Sequence, residues 1–433
     1  MKFFPDIYHR TPGEIDRIQA GLLKETVAYA AVRSPYYRKR LQGVGPVLRL
    51  EDLADLPTTT REDLQSGSEE FLASPREDIA EIVSTTGTTG APIFVSMTRN
   101  DVERLAENEC RGFAWLGAGP GMRFHMAVTM DNLFVAGLAY HEGIRRNRAV
   151  VIRVGAQPAR RHLDLLRDLR PEGMVAVPSM MIALARVARG RGEDPRRCAP
   201  RKLMLIGDAV RGADLALNAA GRLIEEAWGS EIYSTYGLTE AGAAFHECPA
   251  HRGLHAHPDI LLAEVVDEGG RPLPPGETGE LVVTTLGTEG MPLVRYRTGD
   301  VTFIVPGECP CGRGGVRIGP ILGRKAHRLK VMGTTIYPGT IEEALAGVEG
   351  IENFIIEACD GEDGMDRLIV RVGTGRTDRG FLDELRTVLF SKARVTPEIV
   401  AEPPASVEKS LYEGERRKPK VFVDRRGLPG KKA

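Results

Sequence analysis

The chain has 433 residues, of which 42% are hydrophobic, and this length predicts two or more domains with buried cores. Lysine plus arginine (58) nearly balance aspartate plus glutamate (59), so the net charge of -1 gives no field that would attract nucleic acid or an anionic membrane. The absence of a run of ~18 apolar residues and the presence of only six cysteines argue against a membrane span and a disulfide framework, and favour a cytoplasmic protein with small-molecule partners.

Helical patterns dominate the N-terminal part of the chain. Apolar residues at three- and four-residue spacing predict a helix over 11–41. Further along, Thr60 is expected to cap a helix in which Asp63 is the third residue. Another helix is expected over 101–116, followed by a strand over 123–130.

A loop rich in threonine and glycine, Ser84–Pro92, lies before the helix at 101–116. Apolar neighbours predict that it joins two strands, and it lacks the Gly-Lys-Ser/Thr of a Walker loop. Its hydroxyls and backbone N–H groups can converge on a polyphosphate, although such residues are also common in surface turns. The candidate phosphate-binding residues are Thr85, Thr86, Gly87, Thr88, Thr89 and Gly90.

Short Val/Ile-rich segments alternate with helical segments from residue 149 to residue 233. This alternation indicates parallel βαβ units, whose ligands bind beyond the carboxyl ends of the strands. After Glu240 the pattern changes to antiparallel β, with strands expected over 260–266, 279–285 and 293–304. The sequence therefore predicts an α/β fold with a smaller β-rich part.

Two segments carry the chemistry expected of a nucleotide site. Tyr236 is followed by Gly237, which combines a flat ring with close backbone approach and suits an adenine. Thr239 and Glu240 offer oxygens for phosphate and Mg²⁺. Asp300 follows a Thr-Gly turn, and its carboxylate can accept both hydroxyls of a ribose.

Cysteines and histidines in two further segments suggest a metal site. A closed structural zinc site takes four thiolate or imidazole ligands. Spacing alone leaves the histidine open, and the alternative interpretation is reduced, partly buried cysteines beside solvated histidines. The candidate ligands are Cys309 and Cys311 in one segment, and Cys248 with His251, His255 or His257 in the other.

With these motifs in one order along the chain, the sequence resembles the adenylate-forming enzymes of the acyl-CoA synthetase superfamily, most closely the phenylacetate-CoA ligase branch. The resemblance covers nearly the whole chain. It implies a large N-terminal domain (1–323) of parallel α/β sheets with a small β-rich subdomain, a hinge near Arg324, and a small mobile α+β C-terminal domain (324–433). The matching segments are Ser84–Pro92, Tyr236–Glu240, Gly279–Leu281, Arg295–Asp300, Gly323-Arg324, Tyr337-Pro338, Ile341–Glu343 and Lys418–Arg426.

The resemblance also implies a role for each motif. Lys418 matches the catalytic lysine, which would bridge the substrate carboxylate and the α-phosphate as charge builds up. The alternative is a solvated charge in the basic run 416–420, since Arg417 stands where the motif has glycine and Lys420 lies close by. The other implied contacts are pyrophosphate with Thr85–Thr89, adenine with Tyr236, the α-phosphate and Mg²⁺ with Thr239 and Glu240, and the ribose with Asp300 and Arg324.

For the metal site, the resemblance favours a structural zinc ion with His255 as the histidine ligand. For the acyl substrate, it implies a pocket lined by Phe134, Ala136 and Gly137, where small residues would leave space for a flat ring. Gly207 and Asp208 stand where the family has a Gly-Ala-Glu-Pro-Trp segment, so we expect a pocket unlike that for phenylacetate.

Two further departures concern the reaction itself. Ala91 replaces the lysine that usually follows the phosphate loop, and Ala326 and His327 replace a pair of aspartates at the hinge.

The resemblance implies ATP-dependent activation of an aryl carboxylate to an acyl adenylate, followed by transfer to coenzyme A. It also makes a homodimer plausible. The alternatives are transfer to an amine or to a carrier-protein thiol, and a catalytically weak nucleotide-binding homologue.

Overall fold

The computed structural model describes residues 3–85, 92–331, 334–361, 366–412 and 419–426. The chain divides into two compact units, Met1–Leu217 with Gly221–Ile321 and Asn218–Ala220 with Leu322–Ala433. The domain limits implied by the resemblance, and the mobility of the second domain, stay predictions.

The described secondary structure alternates between helices and strands over most of the first unit. The helices are α1 (Pro12–Arg33), α2 (Pro35–Arg40), α3 (Arg61–Gly67), α4 (Arg99–Trp115), α5 (Val135–Arg146), α6 (Ala159–Leu169), α7 (Pro178–Gly190), α8 (Ala219–Trp228), α9 (Pro338–Ala346), α10 (Arg379–Ala393) and α11 (Pro404–Leu411). The strands are β1 (Ile79–Ser84), β2 (Phe94–Thr98), β3 (Arg123–Met126), β4 (Val150–Arg153), β5 (Gly173–Ala176), β6 (Lys202–Leu205), β7 (Glu231–Leu238), β8 (Ala243–Glu247), β9 (Leu254–His255), β10 (Leu261–Val266), β11 (Thr278–Thr285), β12 (Tyr296–Phe303), β13 (Arg317–Ile318), β14 (Gly323–Arg324), β15 (Leu329–Val331), β16 (Thr334–Ile336), β17 (Asn353–Asp360), β18 (Asp366–Gly373), β19 (Glu398–Glu402) and β20 (Phe422–Asp424).

The main sheet has the strand order β13-β9-β8-β7-β6-β5-β3-β4. Strands β4, β3, β5, β6 and β7 are parallel, which confirms the predicted α/β class. Consecutive residues of β5 pack into different hydrophobic clusters, with Met174 on one face of the sheet and Val175 on the other. Both faces of this sheet are therefore covered, as parallel strands require.

The antiparallel region begins within the same sheet. Strand β7 extends to Leu238, and a turn in which Gly242 N–H donates to the Thr239 carbonyl returns the chain as β8. Strands β8, β9 and β13 then extend the sheet in antiparallel fashion. Strands β10, β11 and β12 pair antiparallel in a second sheet, as predicted for the β-rich part.

Strands β1 and β2 form an antiparallel pair in which Ser84 lies opposite Phe94. This confirms that the threonine- and glycine-rich loop joins two strands. The predicted cap of α3 is also confirmed, because Thr60 Oγ1 accepts a hydrogen bond from Asp63 N–H at 3.2 Å.

Several boundaries differ from the predictions. The first predicted helix is broken at Ser34, which precedes Pro35 and starts α2 by accepting a hydrogen bond from Tyr37 N–H. Helix α4 begins before Asp101, because this residue is the third of a helix capped by Thr98. Strand β3 ends at Met126 rather than at residue 130. Among the described residues, no helix combines the length and the apolar character needed to cross a membrane.

The second unit has its own hydrophobic core. Strands β17 and β18 pair antiparallel, with β20 parallel to β17 and β19 parallel to β18. Fully buried residues of α10, including Phe381 and Leu385, pack with Ile356 and Val370 of these strands. This arrangement is the α+β unit that the resemblance implies.

Candidate active site and metal-binding cluster

Tyr236 and Asp300, predicted to serve adenine and ribose, form a hydrogen-bonded pair. The Tyr236 hydroxyl donates to Asp300 Oδ2 at 2.6 Å, although the residues lie on different sheets. Asp300 is held in place because its N–H donates to Thr298 Oγ1 at 3.1 Å across Gly299, whose φ is +75°. Burial and the neighbouring Asp300 carboxylate raise the pKa of Tyr236 well above its usual value, so the phenol stays a neutral donor.

Glu240 lies in the turn that follows β7, at the carboxyl end of a parallel strand. Its side chain is only 9% exposed. Oε1 accepts hydrogen bonds from Tyr296 Oη at 3.1 Å and from Arg61 Nη1 at 2.9 Å. Among the described residues, Oε2 accepts no hydrogen bond, so one carboxylate oxygen has its lone pairs available for a cation such as Mg²⁺. Thr239 is half-buried beside it, and Gly237 is exposed on β7.

Arg61 was missed by the sequence analysis. It is the first residue of α3, and its Nη2 lies 3.4 Å from Thr85 Oγ1, at the start of the predicted phosphate loop. It therefore connects Thr85 with Glu240 across a sequence separation that no local pattern could reveal. We call Arg61, Thr85, Glu240 and Tyr296 the Arg61 cluster.

The remaining residues predicted to contact the nucleotide lie either in the second unit or outside the described residues, with the exception of Thr85. Arg324 lies on β14, in the second unit. Thr85 is described, and its Oγ1 also accepts a hydrogen bond from Ile93 N–H at 2.9 Å. The predicted residues outside the described ranges are Thr86, Gly87, Thr88, Thr89, Gly90 and Lys418.

The predicted acyl segment lies at the start of α5. Phe134 and Ala136 pack against a hydrophobic cluster on one face of the main sheet. A Cβ atom at Gly137 would lie 2.0 Å from the Thr129 carbonyl oxygen, so this glycine is needed for close packing of α5 rather than for open space. The carbonyl of Leu133 accepts a hydrogen bond from Ser84 N–H at 2.9 Å, which joins this segment to β1.

Gly207 and Asp208 follow β6 and are both exposed, and Gly207 has a φ of +87° that favours glycine. The end of this segment is anchored, because Arg211 forms a two-pronged ion pair with the buried Glu247 at 2.5 and 3.2 Å. Glu247 also accepts a hydrogen bond from Ser234 N–H at 3.0 Å. The segment 207–211 is therefore fixed to the end of β8, directly before Cys248.

Cys248, His255, Cys309 and Cys311 converge, as predicted, with their ligand atoms all within 4.8 Å of one another. Cys248 Sγ lies 3.6 Å from Cys309 Sγ, and Cys311 Sγ lies 3.6 Å from His255 Nε2. Burial lowers the pKa of His255 to about 3, which keeps the imidazole in the neutral form that binds metals. Three thiols and one imidazole are the donor set of a closed tetrahedral zinc site.

His251 does not belong to this cluster. Its ring nitrogens lie 3.2 Å from Glu247 Oε2 and 3.4 Å from Glu231 Oε1. Of the three histidines that spacing left open, His255 is the one that lies with the three cysteines. His257 is also turned away, because its Nε2 lies 2.9 Å from His246 Nδ1.

A buried polar network that the sequence analysis missed lies beside the cysteine cluster. Trp115 packs on both systems, with its ring 5.4 Å from that of His255 and 5.0 Å from that of His257. A Cβ atom at Gly112 would lie 2.2 Å from the His246 ring, so α4 has room for this ring only because residue 112 is glycine. The hydrogen-bonded chain of side chains is Glu109, His246, His257, Tyr8, Arg111 and Asp259.

The model of the AMP-binding enzyme family matches residues 30–289. These residues include Arg61, which contacts both Thr85 and Glu240, and also Tyr236, whose hydrogen-bond partner Asp300 follows the matched range. The match spans more than half of the chain. The protein therefore belongs to the AMP-binding enzyme family.

Individual relatives narrow this assignment. Phenylacetate-coenzyme A ligase of Thermus thermophilus is 38% identical over 357 residues, which are 80% of this chain and 79% of that protein. The Escherichia coli K12 enzyme of the same name is 31% identical over 369 residues, with 83% and 82% covered. A crystal structure of 2-hydroxyisobutyryl-CoA ligase with R3-HIB-AMP has a TM-score of 0.84 at 25% identity and covers 97% of this chain and 92% of that chain. The predicted resemblance to phenylacetate-CoA ligases is confirmed.

Proposed function

We propose that this protein is an AMP-forming acid–thiol ligase that acts on an aryl carboxylate. A carboxylate oxygen attacks the α-phosphorus of ATP, and the bond to the bridging oxygen breaks, so that an acyl adenylate forms and pyrophosphate leaves. The thiol of coenzyme A then attacks the acyl carbon, a thioester forms, and AMP leaves. The observation that carries this proposal is the presence of two hydrogen-bonded groups, Thr85 and Glu240 joined through Arg61, and Tyr236 with Asp300, in a protein related to phenylacetate-CoA ligases.

The nucleotide is assigned to these side chains by their chemistry. Asp300 offers carboxylate oxygens to the ribose hydroxyls, while Tyr236 fixes the orientation of that carboxylate. Glu240 and Thr239 would hold Mg²⁺, which neutralises phosphate charge during adenylation. We assign Arg324 to the ribose, Lys418 to the reacting carboxylate and α-phosphate, and residues 85–90 to the pyrophosphate.

The four-residue cluster Cys248, His255, Cys309 and Cys311 would hold a structural zinc ion. Four protein ligands leave no position for a substrate, so the ion would stabilise the fold and take no part in the reaction. It would fix the end of β8, where Glu247 anchors Arg211 and the exposed Gly207–Asp208 segment. We place the exposed Gly207 and Asp208 at the acyl site, together with Phe134 and Ala136 at the start of α5. We also propose that the enzyme is cytoplasmic.

A panel of aryl carboxylates, including phenylacetate-like, benzoate-like and heteroaryl acids, tests this function. Each acid is incubated with ATP, Mg²⁺ and coenzyme A, and thioester and AMP are measured by mass spectrometry. We expect equal amounts of thioester and AMP with at least one acid, and loss of both in Lys418→Ala. Lys409→Ala, an exposed lysine on α11, serves as the control.

Two outcomes would contradict the proposal. If AMP forms with an acid but no thioester appears, the acceptor is an amine or a carrier thiol, in line with the altered hinge at Ala326 and His327. If no acid yields AMP, the protein is a nucleotide-binding homologue without ligase activity.

A further inference from the structure

Arg61 contacts both Glu240 and Thr85, the first residue of the predicted phosphate-binding set. Its Nη1 donates to Glu240 Oε1 at 2.9 Å, and its Nη2 lies 3.4 Å from Thr85 Oγ1. The guanidinium is largely buried, with 21% of the side chain exposed. Its Nε is buried and has no hydrogen-bond partner among the described residues. A buried donor without a partner is costly, so a site that keeps one indicates a ligand acceptor.

The backbone holds Arg61 in a fixed position. Thr59 pairs with Tyr296 in a parallel bridge, where Thr59 N–H donates to the Arg295 carbonyl at 3.0 Å and Arg297 N–H donates to the Thr59 carbonyl at 2.8 Å. Two residues later, the capped first turn of α3 sets the backbone of Arg61. Strand β12 thus positions Arg61, Tyr296 and Asp300 together.

The phosphate loop itself carries no positive charge. The residues of Ser84–Pro92 are serine, threonine, glycine, alanine and proline, so the loop offers hydroxyl and N–H donors but no cation. A polyphosphate carries several negative charges, and fixed cations at the departing group stabilise the transition state. In the part of the chain that the structure describes, the Arg61 guanidinium is the cation that contacts both Thr85 and Glu240.

We propose that Arg61 is a positioning residue of the Mg-ATP site, an inference that rests on the function proposed above. Its guanidinium holds Glu240 through Oε1, which would leave Oε2 to bind Mg²⁺, and it would supply the positive charge that the sequence of Ser84–Pro92 lacks. Tyr296 fixes the same Oε1 atom without contributing charge. Arg61 therefore determines the affinity for Mg-ATP and pyrophosphate, and leaves the affinity for the carboxylic acid unchanged.

The test compares Arg61→Gln, which keeps hydrogen-bonding capacity but loses the charge, with Arg61→Lys, which keeps the charge but cannot reach both partners. ATP–pyrophosphate exchange gives KM for ATP, for pyrophosphate and for the acid, and the Mg²⁺ concentration for half-maximal rate. Calorimetric titration of the whole protein with ATP, with and without Mg²⁺, gives a readout that does not depend on activity. The control is Arg371→Gln in the second unit, because Arg371 is as exposed as Arg61 and also pairs with carboxylates, those of Glu402 and Glu357.

We expect Arg61→Gln to raise KM for ATP and the Mg²⁺ requirement about tenfold or more, with a smaller rise in Arg61→Lys and unchanged KM for the acid. Wild-type values of KM for ATP and of Mg²⁺ dependence in Arg61→Gln would overturn the inference while the proposed function stands. So would an equal loss of acid and ATP affinity, which indicates a structural role. If Arg61→Gln does not fold, the same comparison of KM for ATP, KM for the acid and Mg²⁺ dependence is made with Arg61→Lys. Absence of exchange in the wild type would instead count against the proposed function.

Discussion

Loss of one thiol from the cysteine cluster is expected to destabilise the protein by removing a bound metal ion. Cys309 is 6% exposed, and its sulfur lies 3.6 Å from that of Cys248. Two thiolates at this distance repel each other by about 5 kcal/mol at an effective dielectric constant of ~20, so the ligating form needs a cation between them. At free zinc concentrations of about 100 to 1,000 times Kd, binding stabilises the folded state by about 3–4 kcal/mol.

The variant Cys309→Ser should therefore bind no zinc and lose about 3 kcal/mol of unfolding free energy, which lowers Tm by about 4–5 °C for a unit of this size. Zinc content is measured by elemental analysis of the purified protein, and Tm by calorimetry with and without a chelator. Cys359→Ser, which changes a free cysteine on β17 outside the cluster, is the control. The reasoning is refuted if the wild type binds no zinc and Cys309→Ser has the same Tm as both the wild type and Cys359→Ser.

Three further changes test the buried polar groups of the first unit. Arg104 is 1% exposed and donates to four backbone carbonyls, so Arg104→Met should cost about 3 kcal/mol or more in urea unfolding, and a loss below ~1 kcal/mol would contradict this. Arg211→Met removes the arginine that pairs with the buried Glu247 and should cost about 3 kcal/mol, part of which the double variant with Glu247→Leu recovers. Burial lowers the pKa of His125 to about 3 and also lowers the pKa of His162, so the unfolded state binds more protons below pH ~6.5 and stability falls as the pH falls. For His125 this costs up to about 2 kcal/mol between pH 7 and pH 5, and the double variant with leucine at both positions should show a flatter pH dependence.

Features set by short-range chemistry could be predicted from the sequence. The cap formed by Thr60 and Asp63 depends on residues three apart, and the strand pair around Ser84–Pro92 depends on the apolar segments at its ends. The parallel sheet follows from the alternation of short apolar strands with helices. The family motifs then located Tyr236, Glu240 and Asp300, which the structure joins by hydrogen bonds within the first unit.

Features set by contacts between distant segments could not be predicted. Arg61 is far along the chain from Glu240, and nothing near it in the sequence distinguishes it from a surface arginine of a helix. Spacing alone could not choose among the histidines. The family resemblance favoured His255, and the structure places its Nε2 3.6 Å from Cys311 Sγ, while His251 lies beside Glu247. Gly137 was interpreted as leaving space for a ligand, whereas its contact with the Thr129 backbone is a packing requirement that only the three-dimensional arrangement reveals.

We assign the pair formed by Tyr236 and Asp300 to a site that makes acyl adenylates. The most direct test is carboxylate-dependent ATP–pyrophosphate exchange in the absence of coenzyme A, measured for the wild type, for Asp300→Asn and for the exposed control Asp383→Asn. We predict exchange in the wild type and in Asp383→Asn, and a loss of about 10- to 100-fold in kcat/KM for ATP in Asp300→Asn, since a hydrogen bond to a charged group contributes ~1.5–3 kcal/mol. Equal exchange in all three proteins would contradict the assignment of Asp300 to the nucleotide site. The absence of exchange with any acid in the wild type would contradict the proposed ligase activity.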